Sequence, residues 1–439
     1  MIPDGFYYRL GTLATNNSIA MHIKPSLEKN YMPQEPFILG VNYWPRRKAM
    51  YWWCDFDPVE VREEFSIIRD IGLEQVRLFL LWEDWQPDPT HVNQQALGHL
   101  ESVCTIAADL GLRLNVTFFT GHMSGPSWTP PWMLLPDQPK PSRVFQVVSG
   151  QKVVDCGYRN PFTDAGVLQA AELLVRSVVS RFKDHPAIAV WNLGNEPDLF
   201  ARPSDAAGGR AWTRRLTALI RELDAVHPVT CGLHVNSLVE DNGLRIHDVF
   251  SEVDLPVMHG YPMYADWAAD PLDSDFVPFL CALTTALCGK PTLMEEFGGC
   301  TGMPGKPSSI EAWTRYGRPF RQFMASEEEL AAYFEQVLPK LVQVGAIGAL
   351  VWCFADYIPA LYQRPPCDEA RHERFFGLVR PDGSLKPHAE VIKRFAATRP
   401  QVQPAQRRVA LDITPEAYYQ APRRHAERLY RAFIGAPAR

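Results

Sequence analysis

The chain has 439 residues, 46% of them hydrophobic, and a net charge of −6. These are the values of a globular protein large enough to build its core without staples. With a pI near 6.1 it carries no electrostatic footprint for nucleic acid, and no apolar run is long enough for a membrane, so neither is expected as a partner. Nine cysteines without a C-x-x-C pair exclude zinc-type spacing and argue against a disulfide framework, and Cys104, Cys231 and Cys353 read as small buried hydrophobes. The opening MIPDGFYYRLGTLATNNS has no basic stretch followed by an apolar one, which leads to the expectation of a cytoplasmic protein.

Residues 1–36 read as an N-terminal extension. The first strand-like run is 37–43 (FILGVNY). A helix follows, with Asp57 as cap, Pro58 at the first position and Glu60 at the third. Val61, Phe65 and Ile68 share its apolar face and Gly72 ends it. The second run is 75–80, followed by a helix through Leu97, Leu100, Val103, Ala107 and Leu110. The third is 112–119. A Pro-, Trp- and Gly-rich insertion then spans about 121–161, a length that is uncommon in a loop without function. Val167, Ala171, Leu174, Val178 and Phe182 mark the next helix. The fourth run is 188–193, with a helix near 212–226, and the fifth and sixth are 229–235 and about 253–258. The seventh is 291–295. Ser326 and Glu329 form a capping box for a helix that Pro339 should kink. The eighth run is 347–354. Eight strands alternating with helices predict an α/β fold, a (β/α)8 TIM barrel with long loops over 37–398, with a doubly wound sheet as the structural alternative. Residues 399–439 form a basic tail with a helix near 416–434, which packs on the barrel or joins copies into a homo-oligomer.

Two motifs carry chemistry. Trp191-Asn192-Leu193-Gly194-Asn195-Glu196-Pro197 puts Glu196 at the C-terminal end of the fourth strand, where catalytic groups of barrels collect. Leu293-Met294-Glu295-Glu296-Phe297-Gly298-Gly299 puts a carboxylate at the end of the seventh. Glycoside hydrolysis needs such a pair, about 5–5.5 Å apart in a retaining enzyme. Neighbouring strand residues point to opposite sides, so only one of Glu295 and Glu296 is expected to face the site.

Together these motifs resemble glycoside hydrolase family five, within the clan of barrel glycosidases that place catalytic glutamates on strands four and seven. The resemblance runs from about 37 to 397. It implies Glu196 as acid/base, and it favours Glu296, directly before the aromatic-Gly pair, as nucleophile, with Glu295 structural. It also implies that Arg77 lowers the nucleophile's pKa, that Tyr261 orients it, and that Asn195 binds the sugar 2-hydroxyl. His122 and His259 would position hydroxyls or the acid/base, and Trp352 would form the floor beneath the sugar. No metal or other cofactor is called for.

Twelve Trp, many of them in loops, suggest sugar platforms, with Trp44 and Trp128 the candidates at the site and Trp52, Trp53, Trp82, Trp85 and Trp132 nearby. The segment 44–53 and the long insertion are expected to wall off one end of a cleft, which favours exo action on short glycosides. Among relatives the pattern is most similar to exo-acting β-mannosidases. Endo-β-mannanase or cellulase action, β-glucosidase or β-galactosidase action and transglycosylation remain open, and an inactive carbohydrate-binding barrel is the non-enzymatic alternative.

Overall fold

The computed structural model describes residues 35–435, so all but the last two residues of the expected N-terminal extension lie outside the described residues. The barrel strands are β1 (Ile38–Asn42), β2 (Gln75–Leu81), β3 (Arg113–Thr120), β4 (Ile188–Asn195), β5 (Val229–Gly232), β6 (Val257–His259), β7 (Leu293–Phe297) and β8 (Gly348–Val351). They pair in parallel in the order β5-β4-β3-β2-β1-β8-β7-β6. The ring closes between β5 and β6, where Val235 N–H donates to the His259 carbonyl and His259 N–H to that of Leu233, both at 3.0 Å. Sequential order with closure excludes the doubly wound alternative, whose order reverses part-way.

The outer helices are α1 (Pro58–Ile71), α2 (Gln94–Asp109), α3 (Ala165–Phe182), α4 (Ala206–Leu223), α5 (Ile246–Glu252), α6 (Phe276–Cys288), α7 (Glu327–Gln343) and α8 (Pro387–Ala397). Their ends follow the local chemistry. Asp57 accepts from Val59 N–H, Pro58 begins α1, and Gly72 closes it at φ 90°. At α7 the Ser326 hydroxyl accepts from Glu329 N–H as expected, but the reciprocal half of the capping box is missing: Ser326 N–H donates to the Ser308 hydroxyl, which itself bonds the Glu329 carboxylate.

Three features depart from the sequence expectation. The strand at 291–295 runs two residues further, to Phe297. An antiparallel hairpin, Ser309–Arg315 with Arg318–Met324, stands between β7 and α7 where no element was expected. The tail helix is split into Pro415–Tyr418 and α9 (Pro422–Phe433), because Pro422 cannot continue a helix. The tail packs on the barrel: the Tyr418 and Tyr419 hydroxyls donate to the Leu238 and Ser237 carbonyls at 2.7 Å, and Tyr430 bonds Asp273. Among the described residues no helix is long and apolar enough to cross a membrane.

Candidate active site

The floor of the site is a polar layer inside the barrel. Asn42, Arg77 and Asn115 stand in register on β1, β2 and β3. Arg77 is fully buried, yet its donors are spoken for. Nε binds the Thr117 hydroxyl at 3.0 Å, Nη1 binds Asn42 Oδ1 at 3.1 Å and Glu296 Oε1 at 2.5 Å, and Nη2 binds Asn195 Oδ1 at 3.0 Å. A buried guanidinium so bonded is a rigid fork that fixes the carboxylate it holds. It also needs space. A Cβ on Gly232 would stand 2.9 Å from Arg77 Nη2 and 2.5 Å from the Gly194 carbonyl.

Glu295 and Glu296 both reach this layer, which simple alternation forbids. The pairing of β6 with β7 shifts register between Met258 and His259, and that of β7 with β8 shifts between Met294 and Phe297. Such an irregularity re-aims side chains. Glu295 turns down and is sealed off at 0% exposure, where it accepts from Asn115 Nδ2 at 2.7 Å and Asn192 Nδ2 at 3.0 Å and meets His259 Nε2 at 3.1 Å. Glu296 turns up to the cavity, where the Tyr261 hydroxyl donates to its Oε2 at 3.0 Å. Only Glu296 faces the cavity, but through a bulge rather than through strict alternation.

Glu196 sits just beyond β4 in the left-handed region at φ 43°, a conformation that costs a non-glycine residue about 1 kcal/mol or more and recurs at functional sites. Its N–H is anchored on the Gly232 carbonyl at 2.9 Å. Its Oε1 lies 3.1 Å from His259 Nδ1 and 3.7 Å from His234 Nδ1, and His234 Nε2 meets Asp198 Oδ1 at 2.8 Å. One oxygen of Glu196, one of Glu296 and a nitrogen of His259 lie within 4.8 Å of one another. Among the described residues this trio is also the group with metal-ligating geometry.

The charges form one coupled set. Both ring nitrogens of His259 face carboxylates, which only accept when ionised, so the ring serves them all only as an imidazolium. Burial opposes that charge, but Glu296 and the bonds to Glu196 and Glu295 override it and raise the His259 pKa. Burial likewise works against His234, yet Asp198 and Glu196 lift it to about 9. Burial would raise Glu196 and Glu295. Charged His234 and then His259 hold Glu196 low instead, and Arg77 followed by His259 holds Glu295 low. Burial pushes Glu296 up against His259 and Arg77, and the Glu196 carboxylate adds to the push. A pair this close titrates as a unit, and the directions depart from expectation: Arg77 does pull Glu296 down, but burial and the Glu196 carboxylate outweigh it, while His234 and His259 hold Glu196 low.

The structure gathers Glu196, Glu296, His122, Asn195, His259, Tyr261 and Trp352 around one cavity of about 540 Å³, with Arg77 beneath it. Burial drops His122 to about 4, so its ring is neutral. Trp44 and Trp128 are corrections. Both are fully buried and neither lines the cavity. Trp44 stacks on Phe79 at 5.0 Å, Phe79 meets Trp352 edge-on at 6.0 Å, and Trp44 thus supports the platform from behind. Trp128 donates its indole N–H to the Met123 carbonyl at 3.1 Å and fixes the insertion. Trp52, Trp82 and Trp85 are equally buried: loops this rich in Trp and Pro bury their rings against one another. The segment 44–53 does not line the cavity either. His234, Trp267, Arg315 and Glu373 line it unexpectedly, and so does Arg423 of the tail. His234 closes the run 229–235, so the rule that sites lie at strand ends would have found it. Glu373 lies in a short 3-10 turn, Arg371–Phe375, with no sequence pattern to mark it.

A family model described as "Glycosyl hydrolases family 2, TIM barrel domain" matches residues 142–397, more than half of the chain. The chain belongs to this family. Solved family-five glycosidases are similar as well, in agreement with the motifs, and the two labels meet in the barrel. The glycosyl hydrolase chain is 26% identical to the exo-β-1,4-mannosidase Op5Man5 from Opitutaceae bacterium strain TAV5, covering 82% of this chain and 59% of that one, with a TM-score of 0.67. A GH5_18 structure from Streptomyces cattleya shares the fold at TM-score 0.73, with 19% identity and 91% of each chain covered. Among curated proteins it is 28% identical over 151 residues to the probable mannan endo-1,4-β-mannosidase F of Aspergillus flavus, 31% of this chain and 32% of that protein. Over 174 residues it is 27% identical to mannan endo-1,4-β-mannosidase 7 of Arabidopsis thaliana, 33% of this chain and 39% of that protein. The match thus spans about a third of the length of these curated relatives.

Proposed function

We propose that this glycosyl hydrolase is a retaining β-glycosidase that removes terminal sugars from short β-mannosides. The observation that carries the reading is the pair of carboxylates within 4.8 Å, near the spacing of about 5–5.5 Å that retention requires, with different partners on each. Glu296, gripped by Arg77 and Tyr261, is fixed as the nucleophile. Glu196, beside His259 and His234, can be supplied with a proton. In the first step a Glu296 oxygen attacks the anomeric carbon, the glycosidic C–O bond breaks, and the Glu196 proton goes to the leaving oxygen. In the second step Glu196 takes a proton from water, the water oxygen bonds the anomeric carbon, and Glu296 leaves, so the β configuration returns. Trp352 supplies the apolar floor and Asn195 Nδ2 a donor for the 2-hydroxyl.

Exo action is supported by a closed end. Ser124, after β3, donates to Glu373, after β8, at 3.0 Å. Phe145 of the insertion stacks on Tyr316 of the hairpin at 5.4 Å. A Cβ on Gly125 would meet the Tyr316 hydroxyl at 2.7 Å. Three loops thus meet where a polymer would have to pass. The curated relatives bear endo names, which makes endo-β-mannanase action the second reading. Aryl β-mannoside, glucoside and galactoside with purified protein, followed by product analysis on mannohexaose, separate the cases: mannose alone supports exo action, a ladder of oligomers supports endo action, and inertness on every substrate sinks the enzyme reading. A joint between copies through the tail is a further proposal, and sedimentation tests it.

A further inference from the structure

The closed end of the cavity holds a third carboxylate that the two-step reaction does not use. The Glu373 side chain is 11% exposed and lines the cavity. Its Oε2 accepts from the Ser124 hydroxyl at 3.0 Å. Its Oε1 faces His372 Nε2 at 3.4 Å, the Trp352 side chain lies within bonding reach of the carboxyl, and burial, reinforced by Arg315, drives the His372 pKa far down, so that ring carries no charge. Among the described residues no Lys or Arg nitrogen lies within 4.0 Å of Glu373. A carboxyl withdrawn from water without a counter-ion is costly, and here burial pushes it up to about 7 against the opposing pull of Arg315. Such a group gains when donors arrive. Vicinal hydroxyls of a sugar are neutral donors spaced to meet both carboxylate oxygens.

The placement says which hydroxyls. A ring on Trp352, with its anomeric carbon over Glu296 and its leaving oxygen toward Glu196, turns its opposite edge to the closed end, where the loops after β3 and β8 meet. We infer that Glu373 is a specificity-determining residue that recognises the hydroxyls on the edge of the terminal sugar remote from the bond being cleaved. This rests on the glycosidase reading above and deepens it. An interior unit of a polymer carries its next residue on that edge, so a carboxylate there selects chain ends as well as hydroxyl configuration. Ser124 holds one oxygen and aims the other.

The test uses the full chain with an aryl β-mannoside and its 3-, 4- and 6-deoxy analogues. Wild type should lose roughly 10- to 100-fold in kcat/KM on one or two of the analogues, the effect of losing a hydrogen bond to a charged group. Glu373→Gln should lose a similar factor on the parent sugar, with less than about threefold further loss on those same analogues, because the hydroxyl and the carboxylate then report one interaction. Glu373→Asp, which keeps the charge but withdraws it by one methylene, should behave alike and guards against a folding defect in the amide variant. Two results overturn the inference: Glu373 variants as sensitive to every deoxy sugar as wild type, or Ser124→Ala reproducing the whole effect, which makes the carboxylate a tie between loops. If wild type cleaves the parent and the variants match it, this inference alone falls. If wild type cleaves no aryl β-glycoside, the glycosidase reading falls with it.

Discussion

Adjacent Glu295 and Glu296 should fail in opposite ways when altered. Glu295 lies at 0% exposure with donors from Asn115, Asn192 and His259 converging on it and Arg77 Nη2 at 3.5 Å. In Glu295→Gln an amide N–H must face at least one of these donors, and the charge that balances Arg77 is halved. Breaking a buried, hydrogen-bonded charge cluster costs about 3–5 kcal/mol. For a chain of 439 residues, an unfolding entropy of about 2.1 cal/mol/K per residue gives about 0.9 kcal/mol/K, so the melting temperature should drop by roughly 3–5 °C. Glu296→Gln keeps a carbonyl oxygen for Arg77, its amide N–H can donate to the Tyr261 hydroxyl at the edge of the cavity, and it should melt within about 1–2 °C of wild type. It should nevertheless lose activity by several orders of magnitude. Calorimetry and aryl-glycoside kinetics measure both, and azide distinguishes the roles chemically. Azide should restore turnover to Glu296→Ala as an α-glycosyl azide, because the nucleophile is then replaced from solution, and it should do nothing for Glu295→Ala. Azide rescue at Glu295, or an unchanged melting temperature in Glu295→Gln, would refute the division of labour.

Three further outcomes follow from the same geometry. Asp198→Asn removes the partner that keeps His234 charged; a neutral His234 no longer depresses Glu196, so the alkaline limb of the kcat/KM profile should move to higher pH, and a downward shift counts against the network. Burial lifts Glu83 to about 8, with Asp84 adding to it. A folded pKa above the unfolded one means its stabilising contribution is whole below about pH 4.5 and lost as pH rises through 8, so Glu83→Gln should raise the melting temperature by the equivalent of a few kcal/mol at pH 8.5 and leave it unchanged near pH 4.5. Gly232→Ala places a methyl against Gly194 and Arg77; it should fold, as far-ultraviolet circular dichroism would show, yet lose roughly 100-fold in kcat because displacing Arg77 misplaces the nucleophile, and near-normal turnover contradicts the tight packing.

The barrel and its two principal glutamates were legible in the sequence because they rest on local patterns. Alternating apolar runs and amphipathic helices reflect neighbours one turn or one pleat apart, and caps such as Asp57 and Gly72 act within four residues. Glu196 was marked by a strand followed directly by Asn-Glu-Pro. The tertiary structure decided what depends on distant segments meeting. Alternation predicts that Glu295 and Glu296 diverge, and only the register shifts against β6 and β8 let both engage Arg77. Loop tryptophans look the same in sequence whether they face sugar or each other; Trp44 and Trp128 were buried by partners that the chain supplies from elsewhere. The closed end of the cavity joins residues 124 and 373, which are 249 positions apart. The sequence by itself therefore determined a barrel with a carboxylate pair at its mouth. The length of substrate the mouth can admit, and the residues that can touch it, were decided by the way three unrelated loops pack together.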